Sequence, residues 1–351
     1  MKIIHFLWAL DQGGAENLAV DLANEQSRDH EVVMLVANDK VDHAVKSRLL
    51  PAVRFVCVGR PAASKNPYWI AQLLLVIQAL RPQIVHSHSD KLASLGWLIA
   101  APLILTVHAN SIRLSAQSCR FAAVCCISRA VQQDIHIRYP HLEARQVDNG
   151  INVSRIAVKA ARPSPMVRGV QVSRLVHKTK GQDLLIKALA AINADSLLPT
   201  LTIDFIGEGS SLDYLVELAA ELGVTEFCNF LGSMPRDKVH SSLCNYDILV
   251  QPSRDEGFGL TVAEGMAAGV AVIVSDIDGP MEVIGNGDFG HAFKTDDVSS
   301  LTATLRTVMS SMNTPAALAQ LIAARGHVAA KYDLGRMSGS YVKIYNEIVC
   351  V

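Results

Sequence analysis

The sequence predicts an α/β protein made of two doubly wound parallel-sheet domains in tandem, and three observations carry that expectation. The chain has 351 residues, about two domains on ordinary size priors. Half of it is hydrophobic and 19% is charged, enough apolar material for two cores and too much for a disordered or fibrous chain. Short apolar runs alternate with amphipathic stretches, pause at the turn-rich, basic Arg162-Pro163-Ser164-Pro165, and then begin again. The expected domains are 1–165 and 166–334.

In the first half, strands are expected at 2–9, 31–37, 53–58, 83–86, 103–107, 122–127 and 145–148, with helices such as 14–26 and 67–80 between them. The opening MKIIHFLWAL runs into Asp11-Gln12-Gly13-Gly14 with no small-residue cleavage site, so it reads as a buried first strand and not as a signal peptide. Leu92 to Val107 is uncharged, but Pro102 interrupts it and roughly 18–20 residues are needed to span a bilayer. A helix over KLASLGWLIAA followed by the strand LILTVHA explains it better. The second half gives strands at 170–175, 201–207, 227–231, 247–252 and 271–276, and helices at 181–194, 210–222, 236–244 and 260–268. After 298 the chain reads as helical. Two such halves suggest a central cleft with ligands gathered at strand carboxyl ends.

Net charge is -1, which excludes a nucleic-acid binder driven by bulk charge, yet it hides a split. Residues 1–165 hold 18 basic and 12 acidic side chains, and 166–351 hold 14 and 21. From Lys91 to Arg138 the only acid is Asp134, set against Lys91, Arg113, Arg120, Arg129 and Arg138, so the first half is suited to an anionic partner. Seven cysteines are odd in number and too few for a disulfide scaffold; Cys125 and Cys126 read as small buried hydrophobes. No CxxC occurs, no structural zinc is expected, and a reducing cytoplasm fits best.

The strongest candidate site runs from Pro252 to Gly269. A strand ends, a turn holding Gly257, Phe258 and Gly259 follows, and a helix starts near Leu260 and Thr261, presenting free N–H groups to an anion. Glu256 and Glu264 flank that turn, which makes sense if the anion is the middle of a longer ligand with hydroxyl-bearing ends. Upstream, Arg174 and Lys180 suit a diphosphate, or are simply two exposed loop cations. Ile206-Gly207-Glu208-Gly209 opens like a dinucleotide fingerprint, but position 212 is Leu and the nicotinamide reading loses its main support.

Gly13-Gly14 follows the first strand and allows close backbone approach to a ligand, or a tight turn and no more. His86 and His88 share a strand face and lack a third ligand at matching spacing, so a structural or polar role is favoured over a metal pair. His108 ends a strand on the same sheet edge and is as readily structural as catalytic. Asp276-Ile277-Asp278 reads as a turn leading to a helix-start Glu282.

Taken in order, these segments resemble a known family. Gly13-Gly14-Ala15-Glu16, LTVHA, CCISRAV, VDNGIN, VSRLVHKTKGQDLLIKALA, FIGEGSSLDYLVELAAELGV, NFLGSM, YDILVQPS, Glu256 with Glu264, and AVIVSD resemble the retaining nucleotide-sugar glycosyltransferases of family four, the group 1 type with the GT-B fold of two Rossmann-like domains facing a cleft. The resemblance implies that Arg174 and Lys180, with Gly14 and the N–H groups of Gly259, Leu260 and Thr261, hold the donor diphosphate. It implies that Glu264 binds the ribose and Ser233 and Met234 the base. Glu256 and the Gly257-Phe258 loop would meet the donor sugar, and His108 would lie by its anomeric carbon. A last helix of about 335–351 would cross back to the first domain. Three departures stand out: Gly265 replaces the family's Ala, Ala271 its Pro, and Asp278-Gly279-Pro280 stands where a double glycine is usual.

The expected activity is transfer of a sugar from a UDP- or GDP-sugar, with retention, to a glycan or lipid-linked acceptor in surface polysaccharide or lipopolysaccharide synthesis. No cofactor and no metal are expected, the location is cytoplasmic, and the basic first half could touch the inner membrane peripherally. The rivals are a GT-B sugar-nucleotide epimerase, a glycogen-type synthase or phosphorylase, which the early glycine turn and the two-glutamate segment argue against, and a catalytically silent nucleotide-sugar-binding protein.

Overall fold

The computed structural model describes residues 1–160 and 166–350 and divides into two compact units, Met1–Gly150 with Leu334–Val351, and Ile151–Asp333. The boundary falls at Gly150 because the chain pairs with its own return there: Ile151 N–H donates to Tyr332 O at 2.8 Å. That is upstream of the expected boundary at 165, and the expected linker, Arg162 to Pro165, lies outside the described residues. On the observed bounds the first unit carries 17 basic and 13 acidic side chains and the second 15 and 20, so the charge split keeps its sign but shrinks to +4 and -5.

In the first unit, β1 (Lys2–Leu7), β2 (Glu31–Asn38), β3 (Val53–Arg60), β4 (Ile84–Ser87), β5 (Leu103–Val107), β6 (Ala123–Cys126) and β7 (Ala144–Gln146) form a parallel sheet in the order β3-β2-β1-β4-β5-β6-β7. Helices cover the sheet, which is why its central strands read as continuous apolar runs rather than alternating ones. Strand order reverses between β1 and β4, so the chain leaving these strands brings Gly13-Gly14 and His88 to one sheet edge, with His108 beside them after β5. The last helix, Leu334–Val349, belongs to this unit and buries Tyr341 and Tyr345.

The second unit repeats the plan with β8 (Val167–Val172), β9 (Leu201–Ile206), β10 (Cys228–Gly232), β11 (Ile248–Gln251), β12 (Ala271–Ser275) and β13 (His291–Phe293), ordered β10-β9-β8-β11-β12-β13. Its reversal lies between β8 and β11. Arg174 and Lys180 follow the first of these strands, and Pro252 to Gly259 follow the second.

Several elements differ from expectation. β8 lies three residues earlier than 170–175, which moves Arg174 off the strand end and into the loop. Residues Asp90–Leu98 are 3-10 turns and not an α-helix; Ser94 Oγ donates to Lys91 O there, competing with regular helix bonding. No helix among the described residues is long and apolar enough to cross a membrane. Asp276 does sit in a turn, where its carboxylate accepts from Thr295 N–H at 2.8 Å and Oγ at 2.6 Å. Asp278, rather than Glu282, is the acid that starts helix Asp278–Val283.

Candidate functional site

In the second unit, tight backbone approach assembles the site. Gly181 has φ +65°, and a Cβ there would lie 1.9 Å from Pro252 O, so only glycine lets the β8 and β11 loops touch. A Cβ on Gly279 would lie 2.3 Å from Glu256 O. One glycine is therefore sterically required in the Asp278-Gly279-Pro280 departure, and it is present. The Gly265 departure also has a packing reason: a Cβ there would sit 3.0 Å from Leu249 Cδ1 and 3.2 Å from Val272 Cγ1.

Arg254 locks the two loops together. Its N–H donates to Thr179 O at 2.8 Å, and its guanidinium grips the Asp183 carboxylate through two bonds of 2.8 and 3.0 Å and reaches His177 O. Burial pushes the Asp183 carboxyl up, but the Arg254 guanidinium outweighs it and holds it below its ordinary value. The residues so fixed carry Lys180 and Glu256, whose Nζ and Oε2 lie 2.6 Å apart. Both are partly buried, while Arg174 is exposed and makes no side-chain hydrogen bond or ion pair among the described residues.

Gly259, in the left-handed region at φ +104°, starts helix Leu260–Ala267. Val262 and Ala263 N–H donate to Gly259 O, which leaves the N–H groups of Gly259, Leu260 and Thr261 as the donors this helix start can offer an anion. Phe258 is buried edge-on against Tyr332, with ring centroids 5.2 Å apart, so it anchors the loop and presents only backbone to a ligand. Glu264 is buried in the same helix; its Oε1 accepts from Arg236 at 2.7 Å and lies 3.0 Å from His240 Nε2. Burial alone would raise its carboxyl, yet Arg236 and His240 together hold it down to about 2. Ser233 and Met234 follow β10, and Ser233 N–H donates to Glu208 Oε1 at 3.3 Å. The site thus offers cations, N–H donors and two carboxylates along one run of strand ends.

In the first unit the histidines form a stack that sequence spacing did not reveal. The third partner missing beside His86 and His88 is His5, on the neighbouring β1. His5 Nδ1 lies 3.1 Å from His88 Nε2, and His88 Nδ1 lies 2.9 Å from His108 Nε2. His86 is held on both nitrogens, by Tyr345 Oη at 2.6 Å and Thr106 Oγ at 2.7 Å. With both His86 nitrogens engaged by hydroxyls, the trio is arranged here as a hydrogen-bonded stack. Of these groups the sequence singled out His86, His88 and His108. The alternation of His5 within the first strand was the available signal, and its pairing across 83 residues was not readable. Gly14 opens helix Gly14–Gln26 and is exposed. Arg254, Asp183, Arg236 and His240 were also missed.

Two family models match, the description "Glycosyl transferases group 1" over 161–323 and "Glycosyltransferase Family 4" over 12–155. The chain belongs to the group 1 glycosyltransferases. Its two parallel-sheet units are those of the GT-B fold. This glycosyltransferase is 28% identical over 289 residues to a glycogen synthase of Mycobacterium tuberculosis, covering 76% of this chain and 69% of that one. It is 25% identical over 288 residues to a phosphatidyl-myo-inositol mannosyltransferase of Mycolicibacterium smegmatis, covering 76% and 71%. Among solved structures, Anabaena HepE in complex with UDP-glucose superposes with a TM-score of 0.79 at 19% identity, over 99% of this chain and all of that one.

Proposed function

We propose that this glycosyltransferase moves a hexose from a UDP- or GDP-sugar to a glycan or lipid-linked acceptor with retention of configuration. The observation that carries the donor class is the run of Arg174, Lys180, Glu256, the helix start at Gly259 and Glu264 along the carboxyl ends of β8 and β11. Diphosphate, sugar and ribose each find a suitable partner in that order. As the bond between the anomeric carbon and the diphosphate oxygen breaks, Arg174, Lys180 and the N–H groups take up the growing charge. The acceptor oxygen bonds to the anomeric carbon on the same face, and its proton passes to the departing diphosphate oxygen. These groups can do so without a metal or cofactor. HepE supports the UDP arm, since that relative binds UDP-glucose.

On the acceptor side, the positive first unit and the Lys91 to Arg138 segment favour an anionic lipid or glycan, as in the phosphatidyl-myo-inositol relative. Trp97, 72% exposed, and Ile137, 77% exposed, add apolar contact to a peripheral membrane encounter. Each basic residue near an anionic surface contributes about 1 kcal/mol. The glycogen synthase relative favours a second reading, extension of a glucan, and removes the separation from glycogen-type synthases drawn from the sequence. Incubation with a panel of UDP- and GDP-sugars, with and without chelator, should release nucleotide in both cases. No release with any donor would overturn the donor reading, and release only without chelator would overturn metal independence. Anomeric analysis of the product tests retention, and flotation with vesicles of graded anionic lipid tests membrane contact.

A further inference from the structure

We propose that Gln26, through two hydrogen bonds, sets the tautomers of His5, His86, His88 and His108 and thereby presents His108 as a neutral hydrogen-bond acceptor. Gln26 is the last residue of helix Gly14–Gln26 and is 2% exposed. Its carbonyl oxygen can only accept, and it lies 2.9 Å from His5 Nε2. His5 therefore carries its proton on Nε2, and its Nδ1 accepts from His88 Nε2–H at 3.1 Å. His88 Nδ1 in turn accepts from His108 Nε2–H at 2.9 Å. The lone pair of His108 Nδ1 is left over, and no described residue bonds to it.

The other end of the same amide governs the second branch. Gln26 Nε2 donates to Tyr345 Oη at 3.4 Å, so the phenol uses its proton on His86 Nδ1 at 2.6 Å. His86 Nε2–H then donates to Thr106 Oγ at 2.7 Å, and that hydroxyl lies 3.0 Å from Tyr341 Oη. One amide, with an acceptor at one end and donors at the other, thus orders every ring in the stack, and the returning last helix completes it. Burial keeps all four rings neutral: His5 and His108 are held down to about 4, His86 and His88 well below their ordinary value. The other ionisable groups facing the stack are Tyr341 and Tyr345 from the last helix and Cys125 and Cys126 from β6; burial pushes the two phenols up and the Cys125 thiol to about 12.

Gln26, His5 and His88 are positioning residues, and the consequence for transfer rests on the family resemblance, by which His108 would lie by the donor sugar. An acceptor nitrogen suits a sugar hydroxyl; it leaves the diphosphate charge to Arg174 and Lys180. In ring-15N-labelled full-length protein near neutral pH, His5, His88 and His108 should each be protonated on Nε2 and bare on Nδ1. Protonation of His108 on Nδ1 would overturn the proposal. In Gln26→Met, which removes both hydrogen bonds at similar volume, His108 should become a mixture of tautomers; an unchanged pure Nε2–H form would overturn it. Should that variant not fold, Gln26→Glu keeps the acceptor towards His5 and adds a negative charge. There the tautomer order of His5, His88 and His108 should persist while the acid limb of turnover moves up by about one pH unit. Reversed tautomers in this variant would overturn the ordering role of position 26. Intact tautomers with an unmoved acid limb would overturn the contact of His108 with the sugar and leave the ordering of the stack standing.

Discussion

Both units place polar groups at the carboxyl ends of parallel strands, but the first does so with neutral rings and the second with ions. Around His5, His86, His88 and His108, burial removes charge and the hydrogen bonds run ring to ring or to hydroxyls. In the second unit Lys180 and Glu256, Asp183 and Arg254, and Glu264 and Arg236 each lie within hydrogen-bonding distance of an opposite charge. The same loss of water acts on both. What differs is the presence of a counter-charge, and that decides whether a buried group stays ionised.

The contrast is broken most severely by removing one partner of the deepest ion pair. Glu264→Ala removes the buried carboxylate that both Arg236 and His240 meet and should destabilise the second unit by about 3–5 kcal/mol, measured by denaturant unfolding. A loss under about 1 kcal/mol would mean that Glu264 is not the anchor of Arg236 and His240. Next come the partly buried pair at the loops. Lys180→Ala and Glu256→Ala should each lower donor turnover by well over tenfold with folding kept; near-normal rates in both would refute the site assignment.

Acidification separates the units further. His5 is held down to about 4 in the folded chain against an ordinary 6.5, so its contribution is whole above pH 6.5 and is lost as pH falls towards 4. By linkage that is worth up to about 3 kcal/mol. Glu264, held down to about 2 against 4.5, keeps its contribution until pH falls below 4.5. All three tryptophans, Trp8, Trp69 and Trp97, lie in the first unit, so their fluorescence should report its weakening between pH 6.5 and 4, while far-ultraviolet dichroism should show a smaller loss from the second, where burial holds only His291 and His327 below their ordinary value among the described residues. Simultaneous loss of both signals below pH 4 would contradict the difference between the units. The smallest effect belongs to Arg145→Ala: its partner Glu347, 2.7 Å away, is half-exposed, and stability should change by less than about 1 kcal/mol.

How much of this was legible depended on the range over which a residue acts. Apolar runs such as EVVMLVAN and the turn at Gly257 to Gly259 are local, and they located β2 and the start of helix Leu260–Ala267 closely. β13 is three residues long and gives no periodicity, and Ser94, bonding Lys91 O, sits in an apparently helical stretch that forms 3-10 turns. Candidate ligand residues could be placed on strand ends because parallel sheets gather them there. Their partners could not: Arg254 meets Asp183 across 71 positions and His86 meets Tyr345 across 259, and no spacing encodes either contact. The histidine stack was therefore visible only as His86, His88 and His108, without the His5 and Gln26 that order it.

The claim on which the rest depends is that the second unit holds a nucleoside diphosphate through Lys180. Calorimetric titration of the full chain with UDP and with GDP, alongside Lys180→Ala, measures it directly. At least one nucleotide should bind the unaltered chain, and the Lys180→Ala chain should bind it at least about tenfold more weakly, consistent with loss of a charge-assisted contact. Binding of neither nucleotide, or equal binding by both proteins, would contradict it.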